Sequence, residues 1–245
     1  TPPTPSDPKL RYNFPMIVFD QVTKVYPTGD TILDNVSFHI KEGEFVVLTG
    51  PSGAGKTSIG RLLIRDLVPS SGSIKIEDVD LSKLKGGQLP DLRRKVGVVF
   101  QDYKIIPDKT VFENIALALE IINYPGKQIA DRVHHLLDLV GIPDKVELFP
   151  IQLSGGELQR AAIARAIVSE PKILFADEPT GNLDDTTAKD IYQLLLAIHN
   201  LGTTVIMATH NEKFLLDHRH IHLEKGKIMA DTATSAHSKK PKIKE

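Results

Sequence analysis

The sequence predicts an α/β fold built on a buried parallel sheet, and three observations lead to this prediction. Four short apolar runs each end at polar residues, as parallel strands covered on both faces do. Alternating apolar residues before the first run predict a small antiparallel layer, and residues 110–140 have the periodicity of two helices. The four apolar runs are residues 45–48, 96–100, 173–176 and 203–208.

The composition is that of an ordinary soluble globular protein, with 245 residues of which 41% are hydrophobic and 25% charged. The net charge of −1 does not indicate the positive charge with which proteins bind nucleic acid. The absence of cysteine excludes disulfides and thiol chemistry. No apolar run approaches the ~20 residues of a membrane span, and no signal peptide opens the chain. We therefore expect a soluble protein that could dock on a membrane partner.

The two ends of the chain differ from the rest, so a single domain is expected over residues 16–230. Residues 1–15 carry five prolines without periodicity, which predicts a disordered extension. Residues 231–245 are polar, and we expect a solvated tail; the alternative is a weak contact with an anionic membrane. The lysines of this tail are Lys239, Lys240, Lys242 and Lys244.

The predicted antiparallel layer starts at Ile17 and continues to Tyr26, followed by a turn at 27–30 and a second strand over 32–40. Tyr26 has two interpretations. Its flat ring could stack on an adenine, or it could pack against a neighbour at the strand edge. Spacing alone does not separate these two roles.

Residues 50–57 match the pattern of a phosphate-binding loop, G-x-x-x-x-G-K-[ST], between a buried strand and a helix predicted over 58–66. Glycines let several backbone N–H groups point at one anion, and the helix N-terminus adds its positive dipole end. Lys56 would reach the β- and γ-phosphates, and the Thr57 hydroxyl would bind Mg²⁺. The residues predicted to hold the phosphates are Gly50, Pro51, Ser52, Gly53, Ala54, Gly55, Lys56, Thr57 and Ser58.

The other apolar runs end at polar residues, at the edge where open parallel sheets bind ligands. Asp177 would hold Mg²⁺, and Glu178 could polarise the water that attacks the γ-phosphate. Gln101 could contact Mg²⁺ or this water, or it could be a solvated loop residue. His210 could hydrogen-bond the γ-phosphate, although a lone histidine is more often structural.

A helical subdomain is predicted as an insertion over about residues 102–160, with a break between its two helices at 124–126. Near the end of this insertion, the segment Ser154-Gly155-Gly156-Glu157 opens a helix predicted over 157–169. Its backbone N–H groups could form a second anion site, or the segment could be an ordinary helix cap.

Together these features resemble an ABC-type ATPase domain over residues 16 to about 230. The resemblance implies a RecA-like P-loop NTPase core with an N-terminal antiparallel β layer and an inserted α-helical subdomain. The matching segments are residues 50–57 for Walker A, 153–160 for the signature, 173–178 for Walker B, 182–184 for the D-loop, Tyr26 for the adenine-stacking A-loop, Gln101 for the Q-loop and His210 for the switch histidine.

The same resemblance implies that the chain hydrolyses ATP with Mg²⁺. Catalytic roles would belong to Lys56, Gln101, Glu178 and His210, and the Mg²⁺ ligands would be Thr57, Gln101 and Asp177. It also implies a head-to-tail homodimer, in which the nucleotide on one subunit's P-loop is capped by the other subunit's signature. The capping residues would be Ser154, Gly155, Gly156 and Glu157.

Residues 92–102, 107–116 and 176–184 are closely similar to the FtsE family of bacterial cell-division ATPases. This similarity implies an FtsX-like integral membrane partner, a cytoplasmic location peripheral to the inner membrane, and activation of peptidoglycan hydrolysis. The alternative is the ATPase subunit of a lipoprotein-release or macrolide/peptide-export transporter. The face formed by residues 101–114 is predicted to bind a short helix of the partner.

Two other functional classes fit less well. Soluble ABC proteins that act on nucleic acid or ribosomes usually carry two cassettes or long coiled coils, whereas this chain has one cassette and no sustained heptads. A nucleotide-gated binding module without turnover would not need both Glu178 and His210.

Overall fold

The computed structural model describes residues 15–211 and 218–235. The chain groups into two compact units: the first runs up to Leu84 and resumes at Ile206, and the second is Lys85–Val205. The extension predicted for residues 1–15 lies outside the described residues except for residue 15. The tail predicted for residues 231–245 lies outside them except for residues 231–235, so its four lysines are not described. None of the described helices combines the length and apolar character needed to cross a membrane.

Alternating apolar side chains build the antiparallel sheet of the first unit, as predicted for the N-terminal layer. Strands β1 (Pro15–Val25) and β2 (Thr31–Lys41) pair with Phe19 opposite Phe38, and the two rings stack with centroids 4.5 Å apart. The strand order is β2-β1-β4-β5. The two added strands are β4 (Ser71–Ile76) and β5 (Val79–Asp80).

The strand before the phosphate-binding loop, β3 (Phe45–Thr49), is buried along its whole length. It pairs in parallel with β9 (Arg219–Glu224), with Leu48 opposite Ile221. β9 also pairs antiparallel with β10 (Lys227–Asp231) in a C-terminal hairpin, and its parallel pairing with β3 was not predicted. The remaining elements of this unit are α1 (Lys56–Leu63) and α7 (Thr232–Ser235).

The second unit contains the buried strands β6 (Val96–Val99) and β7 (Ile173–Asp177), which pair in parallel with Val99 opposite Ala176. A third buried strand is β8 (Thr204–Ala208). All three are buried apolar strands, as the sequence predicted.

Helices α3, α4 and α5 pack on one another in the second unit. α3 begins at a capping box, because Thr110 Oγ1 accepts from Glu113 N (3.2 Å) and Glu113 Oε2 accepts from Thr110 N (2.7 Å). The helices of this unit are α2 (Leu89–Lys95), α3 (Val111–Ile121), α4 (Gly126–Val140), α5 (Gly155–Ile167) and α6 (Asp185–Asn200). Short 3-10 turns lie at Leu81–Lys83, Gly86–Gln88, Pro143–Lys145 and Pro150–Gln152.

Three helix boundaries differ from the predicted ones. α1 starts two residues earlier and ends before Arg65, whose φ of 56° is left-handed and stops the helix. α5 starts at Gly155 instead of residue 157, because Ser154 is its N-cap. α4 takes in Gly126, since a proline just before the first turn costs no helical hydrogen bond.

Gly97 in β6 provides a test of this packing. A Cβ at this position would lie 2.3 Å from the carbonyl oxygen of Ala166. Because a backbone atom cannot move aside cheaply, we expect Gly97→Ala to lower the free energy of unfolding by about 1–3 kcal/mol. Urea unfolding of the purified chain measures this change.

The matched control is Gly87→Ala, where a Cβ would meet nothing within 4 Å. This variant should be neutral or slightly stabilised, since alanine restricts the unfolded chain. Equal unfolding midpoints for the two variants would show that β6 and α5 are not packed as closely as described.

Candidate functional site

The loop between β3 and α1 has the curled backbone that anion binding needs. Gly50, Gly53 and Gly55 have φ of +138°, +79° and +106°, a region that side-chain-bearing residues rarely adopt. A Cβ on Gly50 would lie 2.0 Å from the Leu223 carbonyl oxygen, and one on Gly55 would lie 2.7 Å from Leu33 Cδ2. A Cβ on Gly53 would meet nothing within 4 Å, so the loop is packed at its two ends and open in the middle.

Lys56 places a cation on this loop. Its side chain is buried, with 6% of the residue exposed, and Nζ donates to the carbonyl oxygens of Gly50 (2.6 Å) and Pro51 (3.2 Å). Thr57 is exposed and Ser58 is buried at the first turn of α1. A concave glycine backbone, a helix N-terminus and a held ammonium together fit the phosphates of a nucleotide.

Tyr26 directly follows the last residue of β1. Arg61 Nη1 on α1 donates to its hydroxyl at 3.5 Å, and Lys24 Nζ lies 5.7 Å from the centroid of its ring. The side chain is partly exposed. Tyr26 therefore contacts the helix that carries Lys56 and keeps exposed surface.

His210 follows β8 and is exposed. The residue before it, Thr209, donates its N–H to the Leu48 carbonyl oxygen at 2.9 Å. Since Leu48 lies near the end of β3, the first unit brings His210 to the edge at which the phosphate-binding loop leaves the sheet.

In the second unit, the ends of β6 and β7 bring Gln101 and Glu178 to one edge. Val99 pairs with Ala176, and Gln101 and Glu178 each lie two residues beyond that pair. Asp177 is 5% exposed, whereas Gln101 is exposed. The oxygen-bearing side chains of Asp177 and Gln101 are of the type that Mg²⁺ prefers, so these donors fit this metal.

Glu178 and the turn after it form a tight backbone arrangement. Glu178 has a left-handed φ of 46°, and its carbonyl oxygen accepts from Gly181 N at 3.1 Å. Asn182 Nδ2 then donates to the Gln101 carbonyl oxygen at 3.5 Å. This turn thus joins the two strand ends that carry the candidate catalytic side chains.

Ser154 caps α5, so the ordinary helix cap considered for this segment is present. Its Oγ accepts from Glu157 N at 3.3 Å, and Glu157 Oε2 accepts from Ser154 N (2.8 Å) and from Ser154 Oγ (2.7 Å). The Ser154 hydroxyl lowers the pKa of Glu157, and Lys145 Nζ adds an ion pair with Glu157 Oε1 at 3.3 Å. The helix N-terminus therefore already stabilises one anionic group.

Two glycines follow this cap and allow close packing. A Cβ on Gly156 would lie 2.6 Å from Thr187 Cγ2, and one on Gly155 would lie 3.5 Å from the Tyr103 hydroxyl. Thr187 sits in the first turn of α6, which Asp184 caps by accepting from the N–H groups of residues 186 and 187 at 3.0 Å each. The cap at Asp184 thus fixes the turn of α6 against which Gly156 packs.

Three side chains that hold these segments were not predicted from the sequence. Asn114 is fully buried and bonds the loop at residues 106–110 through its amide group. Arg165 donates to two loop carbonyls, and Lys145 pairs with Glu157. A polar residue inside an apolar helical stripe was the available signal for Asn114, whereas the partners of Arg165 and Lys145 are distant in sequence.

The chain matches one protein family and is similar in sequence to several curated proteins. The family model described as ABC transporter matches residues 33–181. The cell division ATP-binding protein FtsE of Streptococcus pneumoniae is 50% identical over 218 residues, which cover 88% of this chain and 95% of that protein. FtsE of Bacillus subtilis is 47% identical over 218 residues, covering 88% of this chain and 96% of that protein.

One solved structure has a fold similar to that of this chain. It is the dimeric post-hydrolysis state of the ATP-binding cassette MJ0796 bound to ADP and Pi. It superposes with a TM-score of 0.81 at 35% identity and covers 88% of this chain and 97% of that one. The chain therefore belongs to the ABC transporter family, as an ATP-binding and ATP-hydrolysing protein of the FtsE cell-division group.

Proposed function

We propose that ATP binds with its phosphates on residues 50–58 and that Lys56 supplies the positive charge at the β- and γ-phosphates. The observation that carries this proposal is the left-handed glycine loop with the buried Lys56 ammonium bonded across it. The backbone N–H groups and the N-terminus of α1 add further donors. Tyr26 is assigned to the adenine ring, which fits its partly exposed face.

Catalysis is assigned to side chains at strand ends. Glu178 takes the proton of the attacking water as a general base, while Gln101 orients that water and His210 hydrogen-bonds the γ-phosphate. Asp177, Thr57 and Gln101 are assigned to Mg²⁺, which when bound neutralises charge on the phosphates. The left-handed turn at Glu178 and its bond to Gly181 support a fixed position for this carboxylate.

The signature segment is proposed to act on the nucleotide of a second copy. In a head-to-tail homodimer, Ser154, Gly155, Gly156 and Glu157 cap the γ-phosphate held by the partner's phosphate-binding loop, with the N–H groups of Gly155 and Gly156 as backbone donors. The N-terminus of α5 is suited to this role because its first residues, Gly155 and Gly156, carry backbone N–H groups at the positive end of the helix dipole. The dimeric form of the related MJ0796 cassette supports this arrangement.

Glu178→Gln should keep ATP binding and stop turnover, because the amide fills the same space but cannot accept the proton. The expected result is a dimer that forms with ATP and persists during size-exclusion chromatography. Calorimetry measures the affinity for ATP, and phosphate release measures turnover.

The matched control is Glu147→Gln, the same change at an exposed glutamate of the second unit. It should turn over and dimerise as the unmodified chain does. Adding Lys56→Ala to the Glu178→Gln chain should prevent dimerisation, because the loop loses its cation. A monomeric Glu178→Gln variant that still hydrolyses ATP would refute the assignment of the base.

The chain is further proposed to act from the cytoplasmic face of the membrane on an FtsX-like integral membrane protein. The ATP-driven change in the partner would activate peptidoglycan hydrolysis outside the cell. The 44–50% identity to FtsE proteins from several bacteria supports this choice over a lipoprotein-release or macrolide/peptide-export transporter. Location at the membrane then follows from the partner and needs no anchor in the described residues.

The proposed docking face is residues 101–114, which lie between a strand end at the nucleotide and helix α3. Tyr103, Ile105 and Phe112 are each partly exposed there. Truncating Tyr103 and Ile105 together to alanine should weaken capture of an FtsX-like partner from detergent extract at unchanged ATP affinity.

A control for this experiment is the double change of Val68 and Leu201 to alanine, which are exposed apolar residues outside the face, at 47% and 74%. That variant should capture the partner normally. Undiminished capture by the Tyr103 and Ile105 variant, or loss of ATP binding in step with the partner, would place the docking face elsewhere.

A further inference from the structure

The loop that follows Gln101 has a backbone conformation that needs support. Tyr103 and Lys104 have φ of 59° and 51°, so two consecutive residues with side chains lie in the left-handed region. Such residues persist only where the surroundings hold them in place. The Lys104 N–H donates to the Asp102 carbonyl oxygen at 2.6 Å, which is a local contact within the same turn.

Arg165 on α5 is the side chain that holds this turn from outside. Its Nη1 donates to the Lys104 carbonyl oxygen at 2.7 Å, and its Nη2 donates to the Tyr103 carbonyl oxygen at 2.9 Å. One planar guanidinium thus bonds both carbonyls of the left-handed pair. A return of either residue to a right-handed conformation would turn its peptide plane and break this arrangement.

An ion pair does not explain the position of Arg165. Burial lowers the pKa of its guanidinium, and no acidic side chain among the described residues opposes this effect. Arg165 is partly buried, and a partly buried cation without a counter-ion among the described residues depends on its hydrogen bonds. The two loop carbonyls are therefore what stabilises Arg165, and Arg165 is what stabilises the loop.

The same helix connects this turn to the signature segment. Ser154 caps α5, and Arg165 lies eleven positions further along, about 16 Å at the rise of an α-helix. The Tyr103 hydroxyl reaches back to the start of α5, 3.5 Å from the place of a Cβ on Gly155. The loop thus contacts α5 near both of its ends.

We propose that Arg165 is a positioning residue for ATP hydrolysis, which latches the turn at Tyr103 and Lys104 to α5 and so holds Gln101 in its working position. Through this latch, a displacement of α5 at the signature moves the Gln101 loop with it. The proposal rests on the role given to Gln101 under the proposed function.

The rest of the loop is held independently. Asn114 Nδ2 donates to the carbonyl oxygens of Ile106 (3.0 Å), Lys109 (3.0 Å) and Thr110 (2.9 Å), and its Oδ1 accepts from Ile106 N at 2.8 Å. Loss of the Arg165 fork should therefore loosen residues 101–105 and leave 106–114 ordered. This difference separates a latch from a general structural role.

Arg165→Lys tests the proposal on the full-length chain, because lysine keeps the charge but lacks the fork that bonds two carbonyls. We expect kcat to fall by about tenfold to a hundredfold, as small misplacements of catalytic groups do. The affinity for ATP should stay within about twofold, since the phosphate-binding loop is untouched. Amide hydrogen exchange should quicken in 101–105 but not in 106–114.

The matched control is Arg132→Lys. Arg132 Nε donates to the Val168 carbonyl oxygen at 3.3 Å and its Nη2 pairs with Glu170 at 2.8 Å, so it bonds a carbonyl of the same unit outside the loop. This variant should keep the kcat and the exchange pattern of the unmodified chain. Unchanged exchange in 101–105 for Arg165→Lys, or a kcat loss shared equally with Arg132→Lys, would overturn the latch.

Gln101→Ala distinguishes a failure of the latch from a failure of the role proposed for Gln101. If Gln101→Ala keeps full kcat, the role of Gln101 in the proposed function is wrong. If Gln101→Ala lowers kcat while Arg165→Lys keeps it, the role of Gln101 stands and only the latch is wrong.

Discussion

Two glycines without room for a side chain determine the shape of the phosphate-binding loop. Gly50 is pressed against the Leu223 carbonyl oxygen on β9, and Gly55 against Leu33 on β2. Strands from opposite ends of the chain therefore form the walls behind a single short loop. The N-terminal layer and the C-terminal hairpin are in this sense part of the nucleotide site, although neither carries its motif.

Helix caps and turns fix the candidate site residues of the second unit, whereas glycines fix the phosphate-binding loop of the first unit. α5 starts at the reciprocal bonds between Ser154 and Glu157, and α6 starts at Asp184. The Thr187 hydroxyl lowers the pKa of Asp184 and the Ser154 hydroxyl lowers that of Glu157, so both carboxylates stay ionised at their helix N-termini. The cap of α5 thus also supplies the residues assigned to the second copy's nucleotide.

Local patterns were sufficient to predict the buried strands, the phosphate-binding loop and the two helices over residues 110–140. Each of these features is encoded by adjacent residues, through apolar runs, glycine spacing or helical periodicity. The parallel pairing of β9 with β3 was not predictable in this way, because the two strands are about 170 residues apart and share no local signal.

The fork of Arg165 was missed for the same reason. Nothing in the local sequence indicates that Tyr103 and Lys104 adopt left-handed φ, since neither is a glycine or asparagine. The site residues themselves were easier to find than the residues that hold them. Phosphate and Mg²⁺ chemistry restricts the first group to few residue types, whereas many polar side chains can support a loop.

One copy's phosphate-binding loop and another copy's signature are proposed to enclose a single ATP. The most direct measurement is an experimental structure of the Glu178→Gln chain with ATP and Mg²⁺. We expect two copies, with the phosphates on residues 50–58 of one copy and the Ser154 hydroxyl of the other within hydrogen-bond distance of the γ-phosphate. An ATP bound away from residues 50–58, or one that no second copy's Ser154 approaches, would contradict the claim.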